Sequence, residues 1–455
     1  MSDYTKTTDF AAKDALSTGD PNKKTKGTEV DTEFNNIATA VATKYDSADL
    51  GVVVQAYDAE LAALAGLTSA ADKVPYFTGS GTASVATLTA AARTLIAAVD
   101  AAAQRTALGA AASGANADIT SLSALTSING GQIAGFRNKI INGDMRIDQR
   151  NAGAAVTPTA STYLVDRFLF ASSQASKLTF QQVADAPRGF KFSTKITVAS
   201  QFAPAAGDSF TYVQPIEGQN VIDLAFGTAS AASITVSFYA KTSVAGTYSV
   251  SIRNVASDRS YVFSVTLTTS WARYTVTIPG DATGTWATGN ATGLSVGFSL
   301  GAGTTYQTAS PNTWLAGSYL AATGSTQFVN QTAGATLNIT GVQLEAGTVA
   351  TPFEHRPIGT EFALCQRYYQ ICAFSIIGYS SAASQNIGGS VTYPVPMRAA
   401  PTIAQKTNDY LITGGNVPST SNYSTATPVA VAVFRAATAA GATQFSELFS
   451  ASAEL

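Results

Sequence analysis

The sequence predicts a mainly β protein: an Ala-rich, helical N-terminal third, then an antiparallel β-sandwich of jelly-roll type, then a small C-terminal β domain. Three observations carry this reading. Beyond residue 135 the apolar residues recur with period two. Of the 43 aromatic residues, 36 lie beyond residue 135, among them all three Trp. Charge divides at the same place, net −5 over residues 1–135 and +3 over the rest.

The first region is residues 1–55. Val30, Phe34, Ile37 and Val41 are spaced 4, 3 and 4 apart, which places them on one face of a helix running from Val30 to about Tyr45. Such a narrow apolar stripe suits a self-associating seam, and a helix of that length is marginal alone. Residues 56–135 form a second, Ala-rich region. Tyr57, Leu61 and Leu64 share a face of a short helix that stops before Gly66. Val74-Pro75-Tyr76-Phe77 and the stretch around Val85 read as two strands about a Gly-rich turn. Leu88 to Leu108 reads as one or two helices, with Gly109 as the stop and 109–114 as a linker. With seven aromatic residues in its first 135, this third cannot fill a monomeric core at native density. It is either flexible or packed against copies of itself.

Residues 136–357 carry the sandwich. Ile234, Val236 and Phe238 alternate with polar neighbours. The same holds for Tyr248, Val250 and Ile252; for Tyr261, Phe263 and Val265; for Tyr274, Val276 and Ile278; and for Leu294, Val296, Phe298 and Leu300. Ile339–Leu344 supplies another strand, and Trp271, at the head of its strand, is expected in the core. Pro352 and Pro357 break the pattern, which places a boundary near residue 358. In residues 358–455, Phe362, Cys365, Tyr369 and Cys372 fit one helical face, with a strand as the alternative. Strands are expected around Phe374–Ile377, Val391–Val395, Ile403, Tyr410–Ile412, Val429–Phe434 and Phe445 to about Ala453.

Composition narrows the chemistry. Charged residues are 12% of the chain and the net charge is −2, which excludes a broad basic footprint for nucleic acid or anionic membrane. No apolar run is long enough to insert in a membrane, and the polar, acidic N-terminus does not read as a secretory signal. Two Cys and one His exclude a zinc-ligand cluster and a disulfide framework, so the thiols are expected to be buried and reduced. Any metal would need oxygen ligands. No phosphate loop or dinucleotide fingerprint occurs, so no cofactor is expected. Gly293-Leu294-Ser295-Val296-Gly297 matches a nucleophile elbow, but apolar alternation continues straight through it and the single His355 sits between prolines. Asp144, Asp148 and Asp166 are the acids nearest one another in the sandwich, yet Arg150 and Arg167 stand beside them, which suits structural ion pairs better than a glycosidase pair. No catalytic residue is assigned.

Sugar recognition needs exposed aromatic faces beside short polar side chains. Trp286, Tyr306, Trp314 and Tyr319 lie in Gly/Thr/Asn/Ser-rich segments, and Tyr410 and Tyr423 in the C-terminal domain have similar neighbours. These six are the candidate glycan or receptor contacts.

Several segments together resemble tail fibres of tailed bacteriophages. Tyr4-Thr5-Lys6-Thr7-Thr8-Asp9-Phe10 with Lys26 to Phe34 is similar to their N-terminal attachment region. Tyr57 to Leu67, Pro75-Tyr76-Phe77-Thr78-Gly79 and Ala101 to Gly109 follow in the order seen there. Asn138 to Arg150 and Tyr163-Leu164-Val165-Asp166-Arg167-Phe168 resemble the opening of a carbohydrate-binding-module-like jelly roll. Gln343 to Gly347, Thr351 to Glu354 and Leu364 to Gln370 resemble its close. The ending Ala453-Glu454-Leu455 is also similar. The resemblance implies a homotrimeric virion fibre, folded in the host cytoplasm and free of enzymatic activity. Its N-terminus would bind tail or baseplate proteins, with Phe10, Val30, Phe34, Ile37 and Val41 as candidate attachment and trimer-seam residues. Its C-terminal β domains would bind a host surface glycan or outer-membrane receptor. A virion-associated glycan depolymerase and a structural adaptor for a separate receptor-binding protein are the alternatives.

Overall fold

In the computed structural model, which describes residues 4–44, 58–108, 135–407, 421–424 and 426–455, the chain divides into two units, Met1–Ser123 and Ala124–Leu455. The N-terminal unit contains helices α1 (Phe10–Asp14), α2 (Gly27–Ala42) and α3 (Ala59–Ala65), the hairpin β1 (Lys73–Gly79) and β2 (Thr82–Thr87), and helices α4 (Ala90–Ile96) and α5 (Ala101–Leu108). Capping side chains set the helix starts: Asp9, Asp58 and Thr89 accept from the amides of Ala12, Leu61 and Ala92. The leading segment is tied to α2 by Glu33, whose carboxylate accepts from Tyr4 and from Thr7 and Thr8. These hydrogen bonds, that from Thr7 foremost, hold the Glu33 carboxyl down at about 2.

The helical stripe read from the sequence exists, but within one chain nothing covers it. Phe34 and Val41 are 64% and 63% exposed, and Ile37 is exposed too, while Phe10 and Val30 are half-buried. Among the described residues of this unit, Ala40 is the only fully buried apolar side chain. Tyr45, Tyr57 and the 109–114 linker lie outside the described residues.

The C-terminal unit begins with two sheets packed face to face. Its strands are β3 (Thr162–Tyr163), β4 (Leu169–Ser172), β5 (Leu178–Val183), β6 (Ser193–Val198), β7 (Ser209–Glu217), β8 (Ile234–Thr242), β9 (Gly246–Arg253), β10 (Arg259–Leu267), β11 (Ala272–Ile278), β12 (Thr292–Ala302), β13 (Gln307–Thr308), β14 (Trp314–Ala316), β15 (Ala321–Ala322) and β16 (Thr336–Ala346). One sheet is β14-β10-β9-β12-β7-β4-β3 and the other β11-β8-β16-β6-β5. All pairings within both are antiparallel. The alternation explains the packing. Tyr248, Val250 and Ile252 face Ile234, Val236 and Phe238 across one continuous core. Trp271 is a correction. It shares parity with Arg273, Thr275 and Thr277 on an edge strand, so it points away from the core, donating to Asp185 with Lys241 over its ring.

Asn138, Asn142 and Gly143 lock the entry to the sandwich. Asn138 Oδ1 accepts from Ile140 and Leu344, and Asn142 Nδ2 donates to the carbonyls of Ile147 and Asp166. A Cβ on Gly143 would stand 2.1 Å from the Val342 oxygen, so only glycine fits. After the sandwich come α6 (Ile358–Gln366) and β17 (Tyr369–Ser380), β18 (Asn386–Thr392), β19 (Thr402–Thr407), β20 (Asn422–Ser424), β21 (Ala430–Ala436) and β22 (Gly441–Ser452), arranged as sheets β17-β22-β19 and β18-β21-β20. Phe362 and Cys365 lie on α6, whereas Tyr369 and Cys372 lie on β17. The helical face therefore ends where its backbone begins to pair with β22. Both thiols are free and buried. Tyr410–Ile412 lies outside the described residues.

The sandwich and the C-terminal sheets meet through buried charge. Arg167, fully buried, pairs with Glu454, donates to the Pro215 oxygen at 2.8 Å and stacks 3.5 Å from the Tyr368 ring centroid. Arg150 reaches both Asp166 and Glu454, so Arg150 and Arg167 pair with acids distant in sequence rather than with their own neighbours, Asp148 and Asp166 respectively. Arg398 donates to the carbonyls of Asn290, Ala453 and Glu454.

Candidate functional site

The register across β4, β7, β12, β9 and β10 defines what the seven-stranded sheet shows on the face away from the core. One row reads Leu169, Val213, Gly297, Ser251 and Val262; the next reads Pro215, Ser295, Arg253, Ser260 and Leu315. Between Leu169 and Leu315 at its edges this face carries mostly small side chains, and it is covered: Val213, Ser251, Ser260, Val262 and Ser295 are all buried. At its centre, a Cβ on Gly297 would lie 2.9 Å from the Thr211 methyl and 3.3 Å from the Ser251 hydroxyl. Ser251 and Ser295 turn their hydroxyls back onto the carbonyls of Gly297 and Arg253. One long side chain, Arg253, rises from this face.

A loop from Gly303 to Thr323 lies against this face, and the sheet's own serines stitch it down. Ser260 donates to the Gly317 oxygen at 2.8 Å and accepts from the Tyr319 amide, while Ser249 accepts from the Ala322 amide. Gly317, at φ +119°, turns the chain so that the Tyr319 ring lies against it. The Leu320 amide donates to the Tyr306 oxygen, and the Tyr306 ring packs on Ala302, Leu320 and Ala321. Both rings are half-buried. Arg253 Nη1 donates to Ser318 Oγ at 3.0 Å. Burial lowers the Arg253 pKa, with the Tyr306 phenol opposing that shift. Neither phenol has a hydrogen-bond partner among the described residues. Two half-buried phenols without a partner among the described residues and a guanidinium with one donor engaged thus lie where this loop covers the sheet.

The other predicted contacts occupy different settings. Trp286 and Trp314 pack edge to face with each other, centroids 5.5 Å apart, and both pack on Phe226. Their indole N–H groups donate locally, to the oxygens of Thr283 and Pro279. Tyr423 stacks on Phe449 and donates to Glu447, inside a buried Arg435–Glu447 pair. Tyr410 lies outside the described residues. So the structure sets Tyr306 and Tyr319 in one loop, holds Trp286 and Trp314 in a second cluster, and places Tyr423 in the C-terminal core. Sequence reasoning missed Arg253 and Ser318. The signal for Arg253 was its parity, since it follows Ser249 and Ser251 at period two on the face opposite Val250 and Ile252.

The residues weighed for hydrolysis have other tasks. Ser295 is mid-strand, and His355 stacks on Phe190 and Phe353. Asp144 pairs with Arg146, Asp148 accepts from the amides of Asn151 and Gly153, and Asp166 pairs with Arg150. Beside Arg356, a cleft of about 330 Å³ is lined by Phe136, Lys139 and Asn220 among others. Its charges are already matched, Lys139 to Asp223 and Arg356 to Glu354 and Glu361.

No protein-family model matches the chain, and no curated protein does. Among solved structures, a putative sugar binding protein from Bacteroides thetaiotaomicron matches at 13% identity and TM-score 0.27, covering 46% of this chain and 99% of that one. The CBM22-1 xylan-binding domain of Paenibacillus barcinonensis Xyn10C matches at 9% identity and TM-score 0.22, covering 44% and 99%. A CBM61 module in complex with β-1,4-galactotriose matches at 9% identity and TM-score 0.24, covering 46% and 99%.

Proposed function

We propose that this chain binds glycan, without cleaving it, on the outer face of the seven-stranded sheet, and that it does so as a subunit of a homotrimeric phage tail fibre. The observation that carries the first part is that Tyr306, Tyr319, Ser318 and Arg253, all half-buried, stand together where the loop 303–323 meets the sheet. Aromatic rings stack on the apolar faces of pyranoses, and unspent hydroxyls and N–H groups bond their rims. The carboxylates in pairs or turns at Asp144, Asp148 and Asp166 support binding rather than hydrolysis.

The fibre reading draws on the N-terminal unit. Phe34, Ile37, Val41, Tyr76, Phe77 and Leu108 are all exposed in a single chain. Side chains of this size each gain roughly 1.5–3 kcal/mol on full burial, and packing three copies side by side would supply it. Three copies per fibre would also strengthen weak individual contacts with a repetitive host surface. The N-terminal unit would hold tail or baseplate proteins, and the assembled fibre would reside in the virion.

The test is binding of the full chain to immobilised bacterial surface polysaccharides, with reducing-end release followed in the same samples. Binding without release, lost in Tyr306→Ala/Tyr319→Ala, is the expected result. Release of reducing ends would make the chain a depolymerase, and failure to bind any polysaccharide would favour a structural adaptor.

A further inference from the structure

We infer that the glycan taken by this site carries a carboxylate, which Arg253 receives; this rests on the reading of the site given above. The buried arginines of the same unit set the contrast. Arg167 has Glu454, Arg356 has Glu354 and Glu361, and Arg435 has Glu447. The half-buried Arg150 and Arg259 have Asp166 and Asp281. Arg253 is held half-buried on the sheet, and no Asp or Glu among the described residues pairs with it. Half-buried Arg137, Arg273 and Arg398 also have no acid paired with their side chains among the described residues; Arg253 differs from them in standing beside Ser318 and the Tyr306 phenol, with one donor spent on Ser318.

Two facts make this difference point to a ligand. First, a guanidinium cannot shed its charge at neutral pH and offers five N–H donors in a planar fork. A half-buried fork with one donor spent is incomplete, and burial already disfavours its charge. Second, the strand residues paired on either side of it are neutral and small, Ser295 and Ser260, and the Ser318 hydroxyl accepts from its fork. A carboxylate matches the fork with two parallel hydrogen bonds, which a neutral hydroxymethyl group cannot. A uronic or sialic type of residue supplies that carboxylate while presenting an apolar ring face to the tyrosines.

The experiment uses full-length protein on an array in which each acidic bacterial glycan is paired with its carboxyl-reduced form, the same sugar without the charge. The expected result is binding to acidic members, weaker by roughly 10- to 100-fold after carboxyl reduction, a loss of the size expected for a charge-assisted pair. Arg253→Gln should lower affinity for the acidic form by a similar factor and for the reduced form by less, so that the preference for the acidic form shrinks. Arg253→Lys, which keeps the charge and loses the fork, should fall between. Affinity of the native chain for the acidic form should also decline as salt is raised, a readout that needs no variant. Should Arg253→Gln fail to fold, Ser318→Ala, which releases the guanidinium from its one tether, should weaken binding of the acidic form more than that of the reduced form. Equal binding to both members of the pairs would overturn the carboxylate and leave the glycan site standing, as would preference for sulfated glycans over carboxylated ones. Binding to no member would overturn both.

Discussion

Arg367 closes a two-bond fork on Glu217: Nη2 donates to Oε1 at 2.8 Å and Nε to Oε2 at 3.1 Å. Tyr368 adds a third donor at 2.7 Å. Glu217 ends β7 and Arg367 follows α6, so one satisfied carboxylate joins the seven-stranded sheet to the start of the C-terminal sheets. The Glu217 side chain is 1% exposed and the Arg367 side chain 34%, so the cost of a mismatch falls on the acid.

Arg367→Ala should therefore destabilise the C-terminal unit by about 3 kcal/mol, because it strands a buried carboxylate with one donor. Arg367→Lys should cost about 1 kcal/mol, since charge survives without the fork. Urea unfolding followed by tryptophan fluorescence reads both, as all three Trp lie in this unit.

Asp166 gives a pH signature. Burial raises its carboxyl to about 6, against the opposing Arg150 charge and the Gln149 hydrogen bonds. The unfolded value is about 3.9, so the native state binds the proton more readily. This group's contribution must then fall as pH rises between about 4 and 6, because the folded state holds more protons than the unfolded state across that window. Asp166→Asn should remove that slope. Urea midpoints at a series of pH values check the sign.

The arrangement of the sandwich was legible wherever large apolar residues on the core face alternate with Ser, Thr or Gly on the other, as in Ile234–Phe238, Tyr248–Ile252 and Leu294–Leu300, even though both faces of these stretches are buried. Ser209–Glu217 was not legible, because Val213, Gln214 and Pro215 interrupt the alternation that Phe210 and Tyr212 begin. Ser193–Val198 and Leu178–Val183 were missed for want of enough large apolar residues. The site was half legible. Tyr306 and Tyr319 stood out as aromatics in polar loops, but so did Trp286 and Trp314, and nothing local separates a ring beside a sheet face from a ring packed on other rings. Only the fold of the loop onto the sheet brings Arg253 beside Ser318 and the Tyr306 phenol.

That distinction is itself measurable. Trp286→Ala should cost about 2–3 kcal/mol, as half-buried aromatic packing on Phe226 and Trp314 is lost. Its glycan affinity should stay within about twofold of the native chain, since its ring packs on Phe226 and Trp314 rather than on Tyr306 or Tyr319. Thermal unfolding and polysaccharide binding on the same variant read the two quantities.

For the fibre, light scattering of the purified chain should give about 140 kDa, three times the 46.7 kDa subunit. Phe34→Asp should shift that mass towards the monomer by placing a charge in the uncovered face of α2. A 46.7 kDa species from the native sequence would leave Phe34, Ile37 and Val41 exposed to water and end the trimer reading.

The location of the glycan site is tested most directly by amide hydrogen exchange on the full chain with and without a saturating bound polysaccharide. Slower exchange should appear in the loop 303–323 and in the neighbouring stretches 249–253 and 293–299, with little change elsewhere. Protection confined to the Trp286 cluster, or to the cleft beside Arg356 and Phe136, would contradict a site on the face of the seven-stranded sheet.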